Sequence, residues 1–455
     1  MAREYVTVYD EPPPLDEQHW IGTGKFFPSD RSSIPPDLEG YYRGKLSIPD
    51  DFRTCTFPHD KLTIDAFLNL SLPIQSYALV HPPTSTCFSL YPPNEDVNRL
   101  ITRALPSRQF VNSMSKAFGQ QLLNGSLSVE DPSYKMSRLP LWVVQYWLDM
   151  YSVVDAQATW RKCLAWLDAH AELTATFPAV QQARARLLLL PWNGTLGIPG
   201  ASTAATTRKL TRLLGDEELC DTLIDMMVSH LSKRAQEDPN CQEVTIETLR
   251  FVNDITKVKS ASEYHQLSTR VLQRLEERVI AGSLRTLYFP AYLEAQRHWL
   301  SFKLNFEAKE LSYGKPLNAV LKNSSLPIAG DSLSHRGMPP PGEIVRKLQW
   351  LEKRLNGPFK NLGDSLPHGR QQDATSCGIC SPNTISHNAL GDPMWTCSRG
   401  VYERVNWFNI LCELRESNTV RYIHQVSAGI EKLTMPTDCH RNSRHLEDWS
   451  ESADS

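Results

Sequence analysis

The nine residues from His298 to Phe306 constrain the fold most tightly. His298, Leu300, Phe302, Leu304 and Phe306 alternate with Trp299, Ser301, Lys303 and Asn305. Successive side chains of a strand point to opposite faces, so this period of two predicts a half-buried β-strand. Glu307-Ala308-Lys309 predicts a short turn, and Glu310 to Tyr313 the return strand. Upstream, Leu284 to Phe289 predicts a further strand, ended by Pro290. Helical signals surround these strands. Leu219, Leu223, Ile224, Met227, Val228 and Leu231 recur at helical spacing behind Asp216 and the acidic pair Glu217-Glu218. Ile344 to Leu355, Cys377 to Leu390 and Val401 to Leu414 predict three more helices. Strands and helices interleaved in this way predict an α+β domain over residues 191–420.

The chain before that domain has a different texture. Sixteen of the 31 prolines precede Leu141, and pairs such as Pro35-Pro36 and Pro82-Pro83 break any long element. Residues 1–135 therefore read as a proline-rich, loop-rich or partly disordered region, with short ordered pieces near Leu62 to Leu72. Residues 136–190 read as helical. Trp142, Val143, Tyr146, Trp147, Met150 and Tyr151 recur every three or four positions, as in a core-facing or partner-facing helical hairpin. Pro191 to Ala205 reads as a loop entering the domain, and residues 421–455 as a solvated C-terminal tail.

Bulk properties narrow the function classes. Net charge is -3 over 455 residues, so no global basic field points to direct nucleic-acid binding. The N-terminal MAREYVTVYDEPPP lacks the apolar core of a secretory signal. Apolar runs such as Leu187 to Trp192 are far too short to span a bilayer, so no membrane association is expected. Ten cysteines at irregular spacing fit reduced thiols better than a disulfide framework. An intracellular location, nuclear or cytoplasmic, is the expectation.

Gly369-Arg370-Gln371-Gln372-Asp373-Ala374-Thr375-Ser376-Cys377-Gly378 carries the chemical signal. A thiol attacks as thiolate. Cys377 at a helix start would place its charge beside unpaired backbone N–H groups. Gly378 allows close backbone approach. The carboxamide of Gln371 and the backbone N–H of Cys377 would serve as oxyanion donors, and His298 is the candidate base. Cys377-x-x-Cys380 also has two other readings. A zinc site needs further ligands, and the spacing to His387 and Cys397 fits no zinc pattern. A redox motif needs a preceding strand that is absent. Cys380 is read as a buried residue on the nucleophile helix, and no metal or cofactor is expected.

The order His298-Trp299, acid, Gln371, Cys377-Gly378 resembles the ubiquitin-like-protein-specific (SUMO/sentrin) cysteine proteases, in a divergent fungal type. The resemblance implies a papain-like-superfamily protease domain, with a mixed central sheet flanked by helices, after the loop-rich and helical N-terminal region. It implies a peptidase or isopeptidase that cleaves after the Gly-Gly tail of a SUMO-like modifier, with that modifier and its conjugates as partners. His298, Cys377, Gln371 and an acid would be catalytic. Trp299, Leu219, Asp221 and Gly378 would contact substrate. Leu219 and Asp221 match the family's entry motif, while Glu218 stands where the family usually has tryptophan.

The acid is displaced. The return strand reads Leu311-Ser312-Tyr313-Gly314-Lys315, with lysine where the family has its acid, and Gly330-Asp331-Ser332-Leu333 follows sixteen residues later. Removing Gly314 to Ala329 restores Tyr313-Gly330-Asp331 without a break. The insert reads as a translated intron of 48 nucleotides, or alternatively as a surface loop, which lengthens cheaply. Asp331 is the favoured acid and Asp364, in a second Gly-Asp-Ser-Leu, its rival. Arg336, Arg346, Lys347, Lys353 and Arg354 read as a solvated basic face or as a contact for an acidic ubiquitin-like surface. Lys315 and Glu218 also motivate an alternative from another class: a catalytically impaired protease-fold module that binds a ubiquitin-like protein without turning it over.

Overall fold

The computed structural model describes residues 46–73, 84–94, 97–123, 126–130, 137–171, 177–198, 205–257, 270–293, 297–314, 344–345, 348 and 358–434, with side chains to 418. Asp331, the insert after Gly314 and the basic positions between Arg336 and Arg354 lie outside the described residues, as does most of the helix expected at Ile344 to Leu355.

The prolines of the first region separate short elements that still reach a core. Helices α1 (Asp50–Thr56), α2 (Ile64–Leu68) and α3 (Arg108–Leu123) flank strand β1 (Phe88–Ser89). Strands β2 (Ser128–Glu130) and β3 (Arg138–Pro140) complete a small antiparallel sheet with β1. Pro49 sits at the start of α1, where a missing N–H is harmless. The expected helical hairpin is present as α4 (Val143–His170) and α5 (Phe177–Leu189). Trp160 in α4 donates to the carbonyl of Trp192, whose own indole donates to His59. These rings, with Phe67 stacked on Trp192 at 4.3 Å, join the N-terminal pieces to the entry loop.

Next come α6 (Asp221–Glu237), β4 (Val244–Ile246), α7 (Leu249–Lys257) and α8 (Arg270–Ile280). The hairpin strands β5 (Thr286–Leu293), β6 (His298–Asn305) and β7 (Glu310–Gly314) follow, then β8 (Lys360–Asn361), α9 (Cys377–Leu390) and α10 (Gly400–Thr434). The five-stranded sheet has order β4-β5-β6-β7-β8, parallel at both edges and antiparallel in the middle. This is the expected α+β arrangement of a mixed sheet between helices. On one face, Phe251 of α7 and Leu272 and Leu275 of α8 pack with Phe289, Leu300, Phe302 and Leu304. On the other, α6 and α9 share a core with the N-terminal helices. Arg186 of α5 bonds the carbonyl of Asn409 and the carboxylate of Glu413 in α10.

Four expectations are corrected. Pro290 does not end β5. It pairs with Ser301 inside the β5–β6 ladder, because β4 has already ended opposite Tyr288 and no strand there needs the missing N–H. The alternating strand β6 is buried on both faces, since α9 covers the side bearing Trp299 and Ser301. Helix α6 opens at Asp221 with Cys220 before it, leaving Leu219 in the lead-in segment. Helix α10 runs on past residue 420 to Thr434, into the stretch expected to be tail.

Candidate active site

Helix α9 starts at Cys377, and the loop before it is folded by one carboxylate. Asp373 accepts from the Thr375 N–H at 2.8 Å, the Ser376 N–H at 2.6 Å and the Ser376 hydroxyl at 2.7 Å. Burial alone would push this carboxyl up. The Ser376 and Thr375 donors and the charge of Arg404 outweigh it and hold Asp373 below the ordinary range. Gln371 is buried at the head of this loop. Its Nε2 donates to the Asp373 carbonyl at 2.9 Å, and its Oε1 has no hydrogen-bond partner among the described residues.

Helix α9 is stapled to β6, the strand that opens with His298. Ser301 Oγ donates to the Ser381 carbonyl at 2.7 Å and lies 2.8 Å from Ser381 Oγ, which bonds the Leu300 carbonyl at 3.0 Å. The backbone N–H of Trp299, the residue after His298, is among the groups that pull the Cys377 thiol pKa down. His298, buried, is the first residue of β6, opposite Leu293.

Cys377 is itself only 1% exposed. Burial pushes its thiol up. The Trp299 and Gly378 N–H groups oppose that, while the charges of Glu218 and Asp373 add to it. A neighbouring cation would lower the thiol again, as an imidazolium does in a cysteine hydrolase.

The expected substrate residues cluster in part. Trp299 Nε1 donates to the Leu219 carbonyl at 3.3 Å, and the Trp299 ring lies 4.9 Å from that of Tyr292. Gly378 abuts Leu219 so closely that a Cβ on it would fall 2.8 Å from the Leu219 Cβ. Asp221 is exposed in the first turn of α6, where its charge suits the helix dipole. The rival acid Asp364 lies 3.7 Å from His368 Nδ1. Cys380 is fully buried in α9. Among the described residues no group of three or more His, Cys, Asp or Glu side chains could hold a metal ion.

Two features escaped the sequence. Arg404 of α10 is buried and donates to the carbonyls of Arg212, Glu217 and Thr375 at 2.9, 3.1 and 3.4 Å. It ties the loop before α9 to the segment before Leu219, and burial lowers its pKa. A lone arginine among Val405, Trp407, Phe408 and Leu411 was the available signal. The second feature is the ion pair of Arg297 with Glu218 at 3.2 Å. No local pattern marks it, because its partners are 79 positions apart.

No protein-family profile matches the chain, and no curated protein matches it either. Similar solved structures include the C-terminal Ulp1 protease domain in complex with Smt3, the yeast ortholog of SUMO. It is 14% identical, with a TM-score of 0.35, and the match covers 51% of this chain and 93% of that one. The Ulp1-like SUMO protease catalytic domain of Chaetomium thermophilum is 16% identical with a TM-score of 0.34, covering 49% and 83%. The Xanthomonas campestris effector XopD bound to ubiquitin is 13% identical with a TM-score of 0.26, covering 42% and 90%.

Proposed function

We propose that this chain is a cysteine-type peptidase or isopeptidase that cleaves after the Gly-Gly tail of a ubiquitin-like, SUMO-like modifier inside the cell. The observation that supports the reading is the seating of α9, which begins at Cys377, on β6, which begins at His298, through the Ser301–Ser381 hydrogen bonds.

In the proposed reaction His298 takes the thiol proton, and the Cys377 sulfur bonds to the carbonyl carbon of the terminal glycine. The tetrahedral oxyanion is met by the Cys377 N–H and the Gln371 carboxamide. Collapse breaks the C–N bond, and His298 gives its proton to the leaving amine. Water, deprotonated by His298, then hydrolyses the thioester and restores the thiol. An acid, Asp331 in our reading, orients the imidazole. The test is covalent capture by SUMO and ubiquitin bearing C-terminal electrophiles. Wild-type protein should form the adduct and Cys377→Ala should not; an adduct on the alanine variant sinks the assignment.

A second reading is a binding module with impaired turnover. The charge of Glu218 favours it, because it raises the Cys377 thiol pKa and so opposes thiolate formation. In that case the full-length modifier binds, but no product accumulates.

A further inference from the structure

The wall beside Cys377 carries a charge arrangement that the catalytic steps do not use. Both carboxylate oxygens of Glu218 lie 3.2 Å from Arg297 Nη2. Arg297 is the residue before β6 and adopts a left-handed backbone, φ 47°, which an arginine takes only when its surroundings hold it there. The charge of Arg297 also acts on the Tyr292 hydroxyl, pulling its pKa down against burial. Tyr292 packs against Trp299, whose indole bonds Leu219, the neighbour of Glu218. Glu218, Arg297, Tyr292, Trp299 and Leu219 thus form a closed circuit. It links the lead-in to α6 with the β5–β6 hairpin, and the charge of Glu218 is felt at the Cys377 sulfur.

Leu219, next to Glu218, packs directly on Gly378, next to Cys377, so a peptide tail bound at that sulfur would lie near the Arg297–Glu218 pair. Two aromatic rings would grip a glycine pair by contact alone. Here the wall presents a carboxylate, so charge enters the selection. The exposure of the two partners decides its sign. The Arg297 side chain is 73% exposed and the Glu218 side chain 32%. A displaced Arg297 is readily solvated by water. Glu218 would be left half-buried beside a forming thiolate and needs a replacement cation. An exposed ion pair is weak enough for a tail to displace.

The geometry points to Glu218 as a specificity-determining residue that selects a peptide tail carrying lysine or arginine immediately before its Gly-Gly end. The incoming cation takes the place of Arg297 on the Glu218 carboxylate, while a glutamate at the same position meets like charge. The inference rests on Cys377 being the nucleophile of the proposed function.

The experiment uses the full chain and the peptides acetyl-Ala-Xaa-Gly-Gly-aminomethylcoumarin, with Xaa as Arg, Gln or Glu. The same sequences carrying a C-terminal vinyl ester report labelling of Cys377. We expect kcat/KM, or the labelling rate, to favour Arg over Gln by about 10-fold, the scale of one charge-assisted hydrogen bond, with Glu lowest. Glu218→Gln should bring the Arg-to-Gln ratio close to one. Arg297→Ala should keep the preference and quicken the Arg peptide. Equal rates on all three peptides, or a preference that survives Glu218→Gln, overturn the inference and leave the nucleophile assignment standing. Failure of every probe to label Cys377 overturns both.

Discussion

Gly378 packs onto Leu219 with no room for a methyl group: a Cβ built on Gly378 falls 2.8 Å from the Leu219 Cβ and 3.1 Å from its Cγ. The residue after Cys377 and the lead-in to α6 are therefore seated directly on one another. Gly378→Ala forces α9 or the 217–219 segment to shift. Such overpacking destabilises by roughly 1–3 kcal/mol, so the melting temperature should drop. Probe capture at Cys377 should fall further than the stability loss explains, because the thiol moves with the helix. Adding Leu219→Ala removes the 3.1 Å contact but keeps the Cβ that stands 2.8 Å away, so the double variant should recover little of either.

The Ser301–Ser381 contact gives a second expectation. Both hydroxyls are buried and bonded across the interface of β6 and α9. Each serine-to-alanine change should cost about 1 kcal/mol or somewhat more, since a partner is left unsatisfied. The double variant should cost less than the sum of the singles, measured by urea unfolding. Strict additivity would show that the staple is not a coupled unit.

Gln371 is held by the Asp373 carbonyl rather than by solvent. As an oxyanion donor it is worth about 100- to 1000-fold in turnover. Gln371→Ala should lower kcat on that scale with little change in KM. Gln371→Glu should be worse at neutral pH, because a carboxylate in that place repels the oxyanion. A loss confined to KM would move Gln371 out of the proposed role.

The thiol makes a pH prediction. Burial pushes Cys377 up against the pull of the Trp299 and Gly378 N–H groups, and the Glu218 and Asp373 charges add to the rise. A raised thiol pKa means that thiolate appears only as the solution turns alkaline. The rate of iodoacetamide alkylation at Cys377 should keep climbing above the ordinary thiol range of about 8.5. Glu218→Gln removes one like charge and should move the profile to lower pH. A plateau already reached at neutral pH would contradict this picture.

The insert after Tyr313 supplies the last prediction. Gly314 ends β7 opposite Ser301, and a Cβ there would meet His368 at 3.0 Å. Deleting Gly314 to Ala329 puts Gly330 in that place, a glycine for a glycine. Continued ladder register then sets Asp331 opposite Leu300, on the same side of β6 as His298, within the reach of a diagonal cross-strand neighbour. The deletion variant should turn over Gly-Gly substrates faster than the full chain, by up to about 10⁴-fold if the acid is otherwise missing. Messenger RNA sequencing checks the intron reading separately: spliced transcripts should lack the 48 nucleotides.

The sequence by itself determined the local elements. The period-two run at His298 fixed β6, and Cys377 to Leu390 was legible as the helix α9. The spacing of Gln371 and Cys377 pointed to the proposed chemistry. These signals are readable because dihedral preferences and side-chain periodicity act between near neighbours. The tertiary structure alone decided which groups surround the thiol. Arg404 reaches Thr375 from 29 positions away and Glu217 from 187. Arg297 meets Glu218 across 79, and Ser301 meets Ser381 across 80. No local pattern encodes such pairs, because they exist only once the sheet and helices have packed. Packing also buried the serine-bearing face of β6, which its alternation had assigned to solvent, and let β5 run through Pro290.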